Sequence, residues 1–167
     1  MLIIICGLPG SGKTSLARAL ANKTGAAHIS SDLVRKGLFP KPAYTEEEKL
    51  AVYARMEDLC REAIGSGKDA VVDATFYRES IREGFLRIAR EGGTRSFVIL
   101  CELPEAETEK RLGRRRRGGP SDADFGVYLR MKKGFEPIKG THLRIDSMAP
   151  MRRRLEAVKA FVGGSYG

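Results

Sequence analysis

The residues best suited to chemistry lie near the start of the chain, in the run Gly7-Leu8-Pro9-Gly10-Ser11-Gly12-Lys13-Thr14. Its glycines let successive backbone N–H groups turn toward one point, which is what the oxygens of a phosphate need. Lys13 adds a cation able to reach β- and γ-phosphates, and the Thr14 hydroxyl is a ligand type suited to Mg2+. Ser15 completes the candidate nucleotide-binding set. The spacing fits G-x-x-x-x-G-K-[ST], a pattern that counts only between a strand and a helix. Leu2 to Cys6 is a continuous apolar run before it, and residues 13–24 read as a helix after it, with its positive end toward the phosphates.

The remaining residues decide what a bound nucleoside triphosphate would be used for. Asn22-Lys23-Thr24-Gly25 lacks the aspartate of a guanine-reading Asn-Lys-x-Asp segment. Asp73 is followed by Ala74, not by a glutamate that would activate water. Transfer to a bound acceptor therefore fits better than hydrolysis. Such a reaction needs a carboxylate to orient the acceptor hydroxyl and take its proton. Asp32 is the candidate, with Arg35 one helical turn away on the same side; a bare helix-capping role for Asp32 fits the same position. Asp73 ends a buried strand, where an unpaired carboxylate is costly. It is expected to meet Thr14, a magnesium-bound water or the Arg35 guanidinium, and a purely structural hydrogen-bonding role is equally compatible. Thr14 and Asp73 form the candidate metal set.

Arg111 and the run Arg114 to Arg117 precede Gly118-Gly119-Pro120. Arginines on a hinged flap suit a lid, about residues 111–121, that closes over the phosphates and offsets charge on the transferring group. The bland alternative is a solvated basic face. For Arg152-Arg153-Arg154 a solvated face, or a contact with an acidic partner, is the default.

Strand-like and helix-like stretches alternate around these residues. Strands are expected at Leu2–Cys6, Ala26–Ser30, Ala70–Asp73 and Phe97–Leu103, with a weaker fifth at Leu143–Asp146. Helices are expected over 13–24, from Ser31, over 45–64 with Thr45 as cap, over 78–91 and from Pro104. A further helix runs from a Ser121/Asp124 capping box to about Phe135, and the last covers 150–162. The inward faces are Val52, Met56, Leu59 and Ala63; Ile81, Phe85 and Ile88; and Met151, Leu155, Val158 and Val162. The implied architecture is an α/β three-layer fold, a five-stranded parallel sheet with helices on both faces. Residues 1–167 read as one domain.

Composition bounds the partners. Of 167 residues, 42% are hydrophobic and 31% charged, a globular balance. The net charge of +9 favours anionic partners such as nucleotides, phosphorylated metabolites or nucleic acid. Cys6, Cys60 and Cys101 are odd in number and form no C-x-x-C pair, which argues against a disulfide framework or a thiolate zinc site. No apolar run approaches the roughly 18 residues of a membrane span. A cytoplasmic location is expected, and oligomeric state is not readable.

These stretches together resemble the P-loop kinases grouped with the polynucleotide 5′-hydroxyl kinase domain, the seryl-tRNA kinases and the zeta-type toxins. The match rests on Gly7 to Thr14, on Ser31-Asp32 with Arg35, on Val71-Val72-Asp73-Ala74-Thr75, and on the stretch from Lys110-Arg111 to Arg117. It spans about residues 2–136. The resemblance implies ATP and Mg2+ as cofactors, Asp32 as general base and Arg35 as an acceptor-phosphate contact. It implies Arg111 and Arg115 as lid arginines and Asp73 near acceptor and metal. Lys13, Asp32, Arg35, Arg111 and Arg115 are then the catalytic set. The expected acceptor is a nucleic-acid 5′-hydroxyl or an RNA-borne hydroxyl. A small-molecule or nucleotide kinase, and a nucleotide-switched binding protein with little catalysis, stand beside it. Gly37 to Tyr44, with Phe39, Lys41 and Tyr44, matches no family pattern.

Overall fold

The structure is a computed structural model that describes residues 1–114 and 123–163. The strands are β1 (Leu2–Cys6), β2 (Ala27–Ser30), β3 (Ala70–Asp73), β4 (Ser96–Glu102) and β5 (Leu143–Asp146). They form one sheet in the order β2-β3-β1-β4-β5, and every pairing is parallel. Parallel strands require crossover connections, and helices supply them: α1 (Lys13–Thr24), α2 (Ser31–Leu38), α3 (Glu46–Gly65), α4 (Glu79–Glu91), α5 (Glu105–Gly113) and α6 (Phe125–Lys133), while α7 (Met151–Phe161) follows β5.

Alternation along β1 builds both halves of the core. Leu2, Ile4 and Cys6 face α3 and α4, packing with Met56, Cys60, Phe85 and Ile88. Ile3 and Ile5 face α1 and the C-terminal helix, packing with Leu16, Leu20, Ile99 and Val158. All five β1 side chains are fully buried. Each large aliphatic contributes about 1.5–3 kcal/mol by burial. A strand buried on both faces has no polar alternation, which is why β1 reads as an unbroken apolar run.

The strand order has a consequence for function. The neighbours of β1 are β3 on one side and β4 on the other. The direction of chain travel therefore reverses at β1, and a crevice opens at the carboxyl ends of the strands there. The loop that leaves β1 at that crevice is Gly7 to Gly12.

Local differences from the sequence reading have simple causes. Cys60 joins the buried face of α3 and lies deeper than Leu59, which packs against the same core only partly buried. Pro104 is the cap of α5 and not its first residue. The cap of α6 is Asp124, whose side chain accepts from the Val127 N–H at 2.8 Å. Ser121 and Arg115, like most of the expected lid, lie outside the described residues. Among the described residues, no helix is long and apolar enough to cross a membrane.

Candidate active site

The loop after β1 is shaped by close approach. Gly7 has φ +155°, and a side-chain carbon there would lie 2.5 Å from Ser11 Oγ and 2.7 Å from the Cys101 carbonyl oxygen. Gly10 and Gly12 have φ near +80°, which returns the chain to the helical start at Lys13. Pro9 and Gly10 form the turn after Leu8, closed by the Ser11 N–H donating to the Leu8 carbonyl at 3.1 Å. Ser11 Oγ is buried with no hydrogen-bond partner. An orphaned hydroxyl beside a glycine-built turn is a group that a ligand bringing its own acceptors, such as a phosphate, would satisfy. Lys13 Nζ rests 3.5 Å from the Leu8 carbonyl, a weak contact that leaves the ammonium available. Ser15, in the first turn of α1, is exposed.

Thr14 and Asp73 meet as the sequence suggested. Thr14 Oγ1 donates to Asp73 Oδ2 at 2.6 Å. The other oxygen, Oδ1, is 2.6 Å from His28 Nε2. The guanidinium of Arg35 does not join them; it pairs with Glu48 at 3.4 Å and lies 5.1 Å from the centre of the Tyr44 ring. The cause is local. Glu48 follows the cap Thr45 by three residues, and its carboxylate gathers the N–H groups of Ala43 and Tyr44 at 2.9 and 2.6 Å. That places an anion beside Arg35.

Hydroxyl and carboxylate oxygens are hard donors that suit Mg2+. No group of three His, Cys, Asp or Glu side chains able to hold a metal occurs among the described residues. Such a set fits an ion that keeps waters and takes its other ligands from a nucleotide. Burial pushes the Cys6 thiol up to about 12 and the Cys101 thiol to about 11, so neither supplies a thiolate beside the loop at neutral pH.

Arg111 also reaches the loop. It donates to the Ser147 carbonyl at 3.3 Å, and its guanidinium lies 3.7 Å from where a Gly12 side chain would begin. Arg154 stands at the same distance from that point, although the Arg152 to Arg154 run reads as solvated in the sequence. The missed signal is that Arg154 lies one turn before the fully buried Val158.

A cleft of about 410 Å3 opens beside the loop, its lining including Pro9, Lys13, Asp32 and Arg35. Its walls include Tyr44 and Lys49 from the α2–α3 connection and α3, Tyr77 and Arg78 from the segment after β3, and Arg130 from α6. Asp32, in the first turn of α2, thus shares one cleft with Lys13. Lys49 donates to Glu46 at 2.5 Å and holds that carboxyl below its ordinary range, chiefly through this hydrogen bond.

Sequence reasoning missed two residues that fix this region. One is His28. The other is Arg82, 3% exposed, which donates to the carbonyls of Phe76 at 2.7 Å, Glu136 at 3.1 Å and Pro137 at 3.0 Å. It ties the segment after β3 to the segment after α6.

Comparisons with known proteins bear on the family and the fold. A family model described as an AAA domain matches residues 2–138. An uncharacterized protein of Mycobacterium tuberculosis is 27% identical over 164 residues, covering 91% of this chain and 32% of its own length. The chain thus spans about a third of that relative. The L-seryl-tRNA(Sec) kinase of Methanococcus maripaludis is 28% identical over 133 residues, 77% of this chain and 51% of that protein. The solved APS kinase of Mycobacterium tuberculosis, in complex with AMPPNP and APS, superposes with a TM-score of 0.72 at 19% identity, covering 97% of each chain.

Proposed function

The chain belongs to the AAA domain family and has the fold of the P-loop kinases, and from that premise we propose that it is an ATP-dependent phosphotransferase acting on a hydroxyl acceptor. The observation that carries the proposal is the shared cleft: Lys13 at the phosphate loop and Asp32 on α2 line one cavity of about 410 Å3. Donor and acceptor held there would meet in line, and holding them so removes much of the entropic cost of the reaction.

Within this reading the loop amides from Gly7 to Thr14 and the Lys13 ammonium hold the triphosphate. Mg2+, held near Thr14 and Asp73 with the phosphates, would supply positive charge to the transferring group. Asp32 orients the acceptor hydroxyl and takes its proton. Arg111, at the loop, offsets charge on the phosphates, and Arg115 is proposed to do so from the lid. Arg35, anchored by Glu48, lines the acceptor end.

For the acceptor we propose a nucleic-acid 5′-hydroxyl or an RNA-borne hydroxyl. The net charge of +9 supports it. So do Arg78 and Arg130, two cations that line the cleft. Tyr77, beneath Arg78 at 5.2 Å, offers a ring on which a base could stack. A small-molecule acceptor is the second reading, favoured by the cleft volume, which lies in the range of ordinary small-ligand sites.

The test is transfer of label from ATP to 5′-hydroxyl DNA, 5′-hydroxyl RNA, tRNA and a panel of small alcohols and nucleotides, with Asp32→Asn in parallel. The expected result is transfer to a nucleic acid that weakens with salt and a kcat about 100- to 10,000-fold lower in Asp32→Asn. Transfer to a small alcohol alone selects the second reading. ATP binding without transfer to any of them refutes both.

A further inference from the structure

The buried carboxylate at the end of β3 is held from two sides, and only one side belongs to the phosphate loop. Asp73 is 1% exposed. Thr14 Oγ1 donates to its Oδ2, and His28 Nε2 faces its Oδ1, both at 2.6 Å. Among the described residues no lysine or arginine pairs with Asp73, and His28 is its one ion-pair-type partner. The sheet register explains the contact. Ser30 pairs with Asp73 and His28 with Val71, so His28 projects on the same face as Asp73, one pleat away, beneath α1.

The geometry assigns His28 a role in magnesium-dependent nucleotide binding: it is a positioning residue that acts through Asp73 on the Thr14 hydroxyl. A carboxylate has two faces for donors, and a buried one turns toward whatever donors it is given. With His28 on Oδ1, the carboxylate plane is fixed and Oδ2 points at Thr14. Thr14 then spends its proton on Asp73, which leaves its oxygen lone pairs directed away from the sheet, as a hard cation requires. Without His28, Oδ1 is left buried and unpartnered, and rotation of the carboxylate to find another donor takes the Thr14 proton with it. Outer contacts of this kind commonly change metal affinity about 10- to 100-fold.

This inference rests on the nucleotide half of the proposed function and not on the acceptor. It is tested by binding of a fluorescent ATP analogue to the full chain, titrated with Mg2+ and repeated in EDTA, in wild type, His28→Leu, His28→Gln and His28→Asn. The glutamine amide reaches the place of Nε2, whereas the asparagine amide is too short. Wild type is expected to bind in EDTA and to bind more tightly as Mg2+ is added. In His28→Leu the Mg2+ concentration for half-maximal effect should rise about tenfold or more, with affinity in EDTA unchanged. His28→Gln should restore the wild-type Mg2+ response, and His28→Asn should not. An unchanged Mg2+ response in His28→Leu overturns the assignment. So does an equal loss of affinity with and without Mg2+, which would mark a purely structural histidine. If the leucine variant does not fold, identical Mg2+ responses in His28→Gln and His28→Asn overturn it instead. A wild-type chain that binds no nucleotide at all overturns the reading of the phosphate loop itself, and this assignment with it.

Discussion

Replacing Arg82 is expected to reverse the usual order of conservative substitution: Arg82→Lys should destabilise the fold at least as much as Arg82→Met. Arg82 is nearly fully buried and makes three hydrogen bonds, all to backbone carbonyls. No carboxylate lies within ion-pair distance among the described residues, so carbonyl dipoles, with the face of the Phe135 ring 5.8 Å away, compensate the charge. In Arg82→Met the bond to the buried Phe76 carbonyl is lost outright, at a cost of about 1–3 kcal/mol for the stranded acceptor. The carbonyls of Glu136 and Pro137 belong to exposed residues and recover water, so their loss costs about 1 kcal/mol together. Against this, the desolvation penalty of a buried cation disappears and the methionine chain fills part of the space. The net expectation is a loss of about 2–3 kcal/mol, or roughly 4–12 °C in Tm for a chain of this size. Lysine keeps the desolvation penalty but cannot fork between the segment after β3 and the segment after α6, so its loss is about 3–4 kcal/mol. Urea unfolding followed by far-ultraviolet circular dichroism gives both values. If lysine retains wild-type stability while methionine does not, a point charge rather than a planar fork holds the two segments, and the argument fails.

Two further outcomes follow from single features. Gly7→Ala should abolish nucleotide binding and cost several kcal/mol of stability, because its new carbon would meet Ser11 Oγ at 2.5 Å and the Cys101 backbone at 2.7 Å; retained binding of a fluorescent nucleotide would contradict this. Stability should also fall in alkali. Burial raises the Cys6 and Cys101 thiols from 9.0 to about 12 and about 11, so the unfolded chain loses these protons first. The stabilisation is complete below pH 9 and is lost at up to about 1.4 kcal/mol per thiol per pH unit as pH rises toward 11. Urea midpoints at pH 8 and pH 10, for wild type against Cys6→Ser with Cys101→Ser, measure it. An equal pH dependence in the two proteins would show that other groups carry it.

The residues legible in the sequence were those whose environment is set by neighbours in the chain. β1 is buried on both faces and reads as a solid apolar run. The phosphate loop reads because its glycines recur at a fixed local spacing, and the positive φ of Gly10 and Gly12 is a demand of the local backbone. Thr45 reads because a cap is local. His28 was not legible, since its partner is 45 positions away and only the β2–β3 register brings them together. Arg82 was half legible. It falls three residues before Phe85 and seven before Ala89, on the inner stripe of α4, and a charge at that position announces a buried contact without saying to what. The cleft walls were least legible, because residues from the α2–α3 connection, α3, the segment after β3 and α6 converge there and no one stretch contains the pattern.

Those walls share a property that bears on how they work. Tyr44 and Phe76, with φ of 58° and 51°, are the non-glycine residues of positive φ in the described structure. Tyr44 lines the cleft, and Phe76 sits between the lining residues Thr75 and Tyr77. Such a conformation costs about 1–3 kcal/mol and persists only where the surroundings over-determine it. Each is held from both sides of its strained unit. The Tyr44 N–H donates to Glu48, and its ring lies beneath Arg35, itself paired with Glu48. The Phe76 N–H donates to the Tyr53 hydroxyl at 3.3 Å and its carbonyl accepts from Arg82, while its fully buried ring packs 5.2 Å from Phe85. The strain turns the backbone so that Tyr77 and Arg78 enter the cleft instead of continuing β3. On the proposed reading of the cleft, an acceptor would meet walls that are already set, with the ordering done in folding and not at the moment of binding. Discrimination would then rest on the shape and charge fixed by Glu48 and Arg82, two residues that need touch neither substrate.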